Sequence, residues 1–148
     1  MFSALRKLFR NQEILNEPFV DQVLGQFEFE RGLGWKGRVL LENKMVEVVL
    51  GSDGEPPSEE MLRTARSWLK QWELQRPKII EYIRGELAKW IGEPNPPVPE
   101  RLELDSINIL WRDKPATTMI YFNYLGDEIR LWHVTLHGFE PNGFAYDD

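Results

Sequence analysis

The sequence predicts an α+β domain: a mostly antiparallel sheet with two central helices packed on one face and a short amphipathic helix at the N-terminus. Three observations carry this. Apolar and polar residues alternate in two blocks, residues 24–50 and 102–146. Between them, from Leu62 to Trp90, apolar residues recur at three- and four-residue spacing instead. Short runs of Gly, Pro, Asn and Asp separate the strand-like segments. The sheet is expected as a three-stranded N-terminal meander plus three or four C-terminal strands.

Phe2, Leu5, Leu8 and Phe9 share one helical face, with Arg6, Lys7 and Arg10 between them, so residues 1–17 read as an amphipathic helix. A basic amphipathic helix can associate weakly with a membrane through residues 2–15. Docking on its own domain, residues 18–148, is the commoner use of such a helix. Leu24 to Arg31 sets Phe27 and Phe29 against Gln26, Glu28 and Glu30, as a half-buried strand does. Trp35 to Glu42 is a second strand, Asn43-Lys44 a turn, and Met45 to Leu50 a third strand. GSDGEPP, residues 51–57, is a loop by composition, and Ser58 is a helix N-cap followed by Glu59 and Glu60.

Leu62, Ala65, Leu69 and Trp72 mark one helical face; Ile80, Ile83, Leu87 and Trp90 mark another. Pro77 lies between them and divides the segment into two helices, or kinks one. GEPNPPVP, residues 92–99, holds four prolines and reads as a surface crossover loop. Leu102 to Trp111, Thr117 to Tyr124 and Ile129 to His137 return to strand character. Pro141-Asn142-Gly143 signals a turn before a short strand at Phe144 to Tyr146.

The 148 residues contain no cysteine, which excludes disulfides, thiolate catalysis and cysteine-ligated zinc. No apolar run reaches the length of a membrane span or a signal peptide, so the expected location is the cytoplasm. The net charge of −6 is lopsided: residues 1–91 carry 14 acids and 14 bases, residues 92–148 carry 10 acids and 4 bases. That distribution argues against a nucleic-acid footprint and for a basic protein partner.

Gly32-Leu33-Gly34-Trp35-Lys36-Gly37 fits G-x-G-x-x-G, but a strand follows it where a dinucleotide site needs a helix. It reads as a glycine-rich β-turn in which Gly34 or Gly37 allows positive φ or a bulge. His133 and His137 lie on one strand about 13 Å apart at the usual rise, too far to share a metal ion. No catalytic, metal-ligating or cofactor-binding set emerges, and an enzyme is the less expected class. The aromatic C-terminal strands offer Tyr121 as an exposed ring, with Asp127, Glu128 and Glu140 as rim charges for partner binding. The alternative is a small-molecule site or small enzyme, with a pocket between helices and sheet that uses His133 or His137.

The segments Leu24-Gly25-Gln26-Phe27 through Trp35-Lys36-Gly37-Arg38-Val39, and Trp132-His133-Val134-Thr135-Leu136 with Gly143-Phe144-Ala145-Tyr146, resemble a bacterial family of uncharacterised proteins, domain-of-unknown-function family twenty-two sixty-two. The likeness spans roughly residues 24–147. It implies a bacterial cytosolic α+β domain and, by analogy with small families of this kind, an immunity-type inhibitor. It carries over no functional residue.

Overall fold

The computed structural model describes residues 17–148, so the helix expected over residues 2–15 lies outside the described residues. Eight strands form one sheet in sequence order: β1 (Phe19–Asp21), β2 (Gly25–Glu30), β3 (Gly34–Leu41), β4 (Lys44–Gly51), β5 (Leu102–Ile109), β6 (Thr117–Tyr124), β7 (Asp127–His137) and β8 (Glu140–Asp147). Every neighbouring pair is antiparallel except β4 and β5, which run parallel with Glu47 opposite Ser106 and Leu50 opposite Ile109. A parallel pair needs a crossover. One helix, α1 (Glu59–Leu87), supplies it.

This corrects the two-helix expectation. Alpha-helical backbone continues through Pro77. The buried positions Met61, Ala65, Trp68, Trp72, Gln75, Ile79 and Ile83 follow a 4-3-4-3-4-4 spacing, one uninterrupted stripe in which Gln75 fills the place the sequence pattern seemed to lack. Pro77 itself is exposed on the other side. An interior proline costs a helix about 3 kcal/mol. Burying each large apolar side chain of the stripe returns about 2 kcal/mol, so continuity wins. Ser58 caps the start, accepting a hydrogen bond from the Met61 N–H at 3.2 Å.

Three strand expectations also shift. A short strand, β1, precedes the N-terminal meander and pairs Phe19 with Phe27. The β3–β4 turn is Glu42-Asn43, both at positive φ, one residue earlier than the sequence pattern placed it. Pro141-Asn142-Gly143 lies inside β8, where Asn142 is the extra residue of a bulge opposite Thr135 and Leu136; the turn is at Gly138-Phe139. Proline is tolerated there because β8 is an edge strand.

The core lies between α1 and the sheet face bearing Phe27, Trp35, Val39, Val46, Val48, Leu50, Ile107, Ile109, Ile120, Phe122, Trp132 and Val134. The Trp68 indole N–H donates to Thr118 Oγ1 at 3.1 Å, fixing α1 over β6. On the far flank, Asp21 ties the β1–β2 turn to the helix. Its carboxylate accepts the Val23 and Leu24 N–H groups, both at 2.9 Å, and is paired with the Arg66 guanidinium. The bond to Arg66 holds the Asp21 carboxyl at about 2, with the Leu24 and Val23 N–H groups adding to it against the opposing effect of burial.

Gly34 stands at φ 125°, and a Cβ there would collide with the Leu50 carbonyl oxygen. The glycine motif is therefore a packing device between β3 and β4. Gly34→Ala is expected to lower stability by more than about 3 kcal/mol in urea unfolding. Gly126→Ala, also at positive φ but in open space, should cost only about 1 kcal/mol. A depressed carboxylate pKa stabilises above its unfolded value and loses that contribution as pH falls through the folded value. Asp21→Asn should therefore cost about 2 kcal/mol at pH 7, and the deficit should narrow between about pH 4 and pH 2 in thermal melts.

Candidate binding crevice at the carboxyl ends of the parallel strands

The residues singled out from the sequence do not converge. Asp127 and Glu128 open β7, whereas Glu140 faces His137 at its other end. Ten residues of strand separate Asp127 from His137, about 33 Å at 3.3 Å each. Tyr121 lies between them on β6, half-buried on the sheet face turned away from α1, its ring centroid 5.4 Å from that of His133. Burial, and then the Asp147 charge, raise the Tyr121 phenol above its ordinary value.

Asp127 is committed within the chain. Its Oδ2 is 2.6 Å from Arg130 Nε, and its Oδ1 accepts the Arg130 backbone N–H at 3.1 Å. Burial pushes the Asp127 carboxyl up, but the Arg130 side-chain and backbone bonds outweigh it and the net shift is downward. Arg130 also reaches Glu93 Oε1 at 2.6 Å and the Asn95 carbonyl at 2.9 Å, and its guanidinium lies 4.6 Å from the Trp132 ring centroid. These bonds clamp the proline-rich crossover onto the β6–β7 hairpin. Glu128 and Glu140 are exposed.

Both histidines lie on β7 positions that alternate with the α1-facing residues Trp132, Val134 and Leu136. The space between helix and sheet is filled by Trp68, Trp72 and their neighbours. The geometry thus gives no support to a histidine-lined pocket there. His133 Nε2 is 3.4 Å from Asp147 Oδ1, and no group of three potential metal ligands gathers among the described residues.

The fold builds a different site. In sheets with crossover helices, the crevice beyond the carboxyl ends of the strands is where chain reversal leaves loops free to face a ligand. Here β4 and β5 end side by side, and residues 52–58 and 110–116 leave in different directions. They enclose an open crevice of about 820 Å3 beside the start of α1. Its first wall is well braced. The Glu55 carbonyl accepts the Trp35 indole N–H at 2.8 Å and the Ser52 hydroxyl at 2.6 Å, and Ser52 Oγ accepts the Gly54 N–H at 3.0 Å. Its second wall is a turn in which the Lys114 N–H donates to the Trp111 carbonyl at 2.7 Å. Arg112 Nη1 to Glu55 Oε2, 2.9 Å, bridges the two walls.

Trp111 is 42% exposed in this crevice, while Trp35, Trp68, Trp72 and Trp132 are buried. Asp53, Glu60 and Asp113 are exposed beside it and have no ion-pair partner among the described residues. The lining holds four carboxylates (with Glu55) against Arg112 and Lys114. Glu59 and Glu60 already occupy the first turn of α1, which disfavours an anion there. An exposed indole in a lining with two more acids than bases suits a cationic group, which gains from the ring face and from the surrounding charge.

In the sequence Trp111 stands out only as the last residue of the strand-like segment Leu102 to Trp111, and Asp53, Glu60 and Asp113 carry no local pattern that selects them. The available signal was the strand–helix–strand order around α1, which implies a parallel pair and hence a crevice at its carboxyl end.

No protein-family profile matches the chain, and no curated protein or solved structure matches it significantly.

Arg130→Ala removes the cation between two largely buried carboxylates, Asp127 and Glu93, and is expected to cost about 3 kcal/mol in chemical denaturation. Glu128→Ala, an exposed neighbour, should change stability by less than about 0.5 kcal/mol.

Proposed function

We propose that this chain is a non-enzymatic protein-interaction domain that holds a basic segment of a partner protein in the crevice between the β4–α1 and β5–β6 loops. The observation that carries this reading is Trp111. A large aromatic residue left exposed in a concave, braced site is the type of residue that anchors protein interfaces. Asp53, Glu60 and Asp113 supply the complementary charge, and complementary charge acts mainly on encounter rate and partner choice. An immunity-type inhibitor of a basic protein fits this arrangement; that refinement, a bacterial origin and a cytoplasmic location rest on the sequence resemblance and composition.

A fluorescent oligo-arginine peptide, read by anisotropy against the full chain at low salt, is the test. Binding is expected, with Trp111→Ala weakening it at least tenfold. Asp53→Lys with Asp113→Lys should slow association strongly, an effect that fades as salt is raised. Glu128→Lys and Glu140→Lys should bind like the parent chain. Unchanged affinity in Trp111→Ala, or loss confined to the Glu128 and Glu140 variants, would contradict this site.

A further inference from the structure

The Arg112–Glu55 bridge across the crevice differs from every other arginine ion pair among the described residues. Arg66 binds Asp21 and Glu59, and Arg76 binds Glu42 and the Leu102 carbonyl. Arg84 binds Glu81 and Glu100, and Arg130 binds Asp127 and Glu93. Each of those guanidinium groups has at least two anchors. Arg112 has one bond, Nη1 to Glu55 Oε2 at 2.9 Å, with its side chain 51% exposed and that of Glu55 67%. An exposed pair held by a single bond contributes little to stability. Neither wall needs it. Residues 111–114 are held as a turn by the Lys114 N–H on the Trp111 carbonyl, and just outside it the Leu110 N–H donates to the Thr117 carbonyl at 3.0 Å. The Glu55 backbone is fixed by the Trp35 indole and the Ser52 hydroxyl. The two side chains can therefore part while both backbones stay in place.

We propose that Arg112 stands in for an arginine of the partner, which displaces it from Glu55; the assignment rests on the crevice being where the basic segment binds, and it makes the site selective for guanidinium over ammonium groups. The chain itself shows that Glu55 accepts a guanidinium. One arriving from outside can do better than Arg112 does. Its planar fork can meet both carboxylate oxygens, which is stronger than one bond. Its flat face can also lie on the exposed Trp111 indole. An ammonium cannot form the fork and has no plane to stack. Asp53, Glu60 and Asp113 attract either cation, so they act on encounter and not on the choice between the two.

Arg112→Gln and Lys114→Gln each remove one positive charge from the lining, but only the first frees Glu55. Fluorescent oligo-arginine and oligo-lysine peptides of equal length, titrated by anisotropy against the full chain at low salt, separate the two effects. The parent chain is expected to bind the arginine peptide about fivefold more tightly than the lysine peptide. Arg112→Gln should tighten the arginine peptide about fivefold more than Lys114→Gln does, the scale of one exposed ion pair. On the lysine peptide the two variants should act alike. In a Glu55→Gln background the extra gain should disappear, leaving the charge effect alone. Equal gains from the two variants on both peptides, or no preference for arginine in the parent, would overturn the exchange and leave binding in the crevice standing. No binding of either peptide to any of these chains would overturn both. Thermal melts check the fold: Arg112→Gln should melt close to the parent, and a loss as large as that of Arg130→Ala would make the pair structural and contradict its role as a stand-in.

Discussion

Among the described residues one α-helix covers one face of an eight-stranded sheet, and most of the structure follows from that mismatch. Eight strands span about 34 Å between the outermost two, while a helix with its side chains is about 10–12 Å across. The stripe from Met61 to Ile83 closes the middle, with Trp68 and Trp72 giving it width. The flanks are closed by aromatic groups that extend the cover sideways. On one side Phe19 stacks on Phe27 at 5.1 Å and meets Trp35 edge-on. On the other, Trp90 stacks on Phe144 and Trp132, with Tyr146 against both tryptophans. The aromatic richness of the sequence is a consequence of covering a wide sheet with a narrow helix.

The same helix dictates where a partner can bind. Because α1 carries the chain from β4 back to the start of β5, those two strands must be parallel, and their carboxyl ends open together. At the opposite end of the sheet the proline-rich crossover is pinned by Arg130, Glu93 and Asp127, and its polar groups are used internally. The two ends are thus chemically different. One carries the Arg130 pairs with Glu93 and Asp127. The other keeps an exposed indole and four carboxylates against two cations.

Most strands were legible because alternation is a local signal: Phe27, Val39, Val46 and Ile120 are all buried where a two-residue period puts them. The continuity of α1 was not. Pro77 is a strong local breaker, and only the tertiary stripe, completed by the polar Gln75, outweighs it. Pro141-Asn142-Gly143 misled for the same reason, since turn chemistry and an edge-strand bulge use the same residues. The site was hidden further. Asp127 has the composition of a rim charge, but it pairs with Arg130, whose other carboxylate, Glu93, is thirty-seven residues from it in sequence, and no local pattern reveals that network. Asp53 and Asp113 meet only through the parallel register of β4 and β5.

The most direct measurement follows the backbone amides and tryptophan indoles of the full chain by NMR while a basic peptide is added. The expected result is that the Trp111 indole and the amides of Asp53, Glu60 and Asp113 shift together and saturate at one peptide concentration, with the indoles of Trp68 and Trp72 still. Shifts confined to Glu128 and its hairpin, or to Glu140, would contradict a crevice built by the crossover helix.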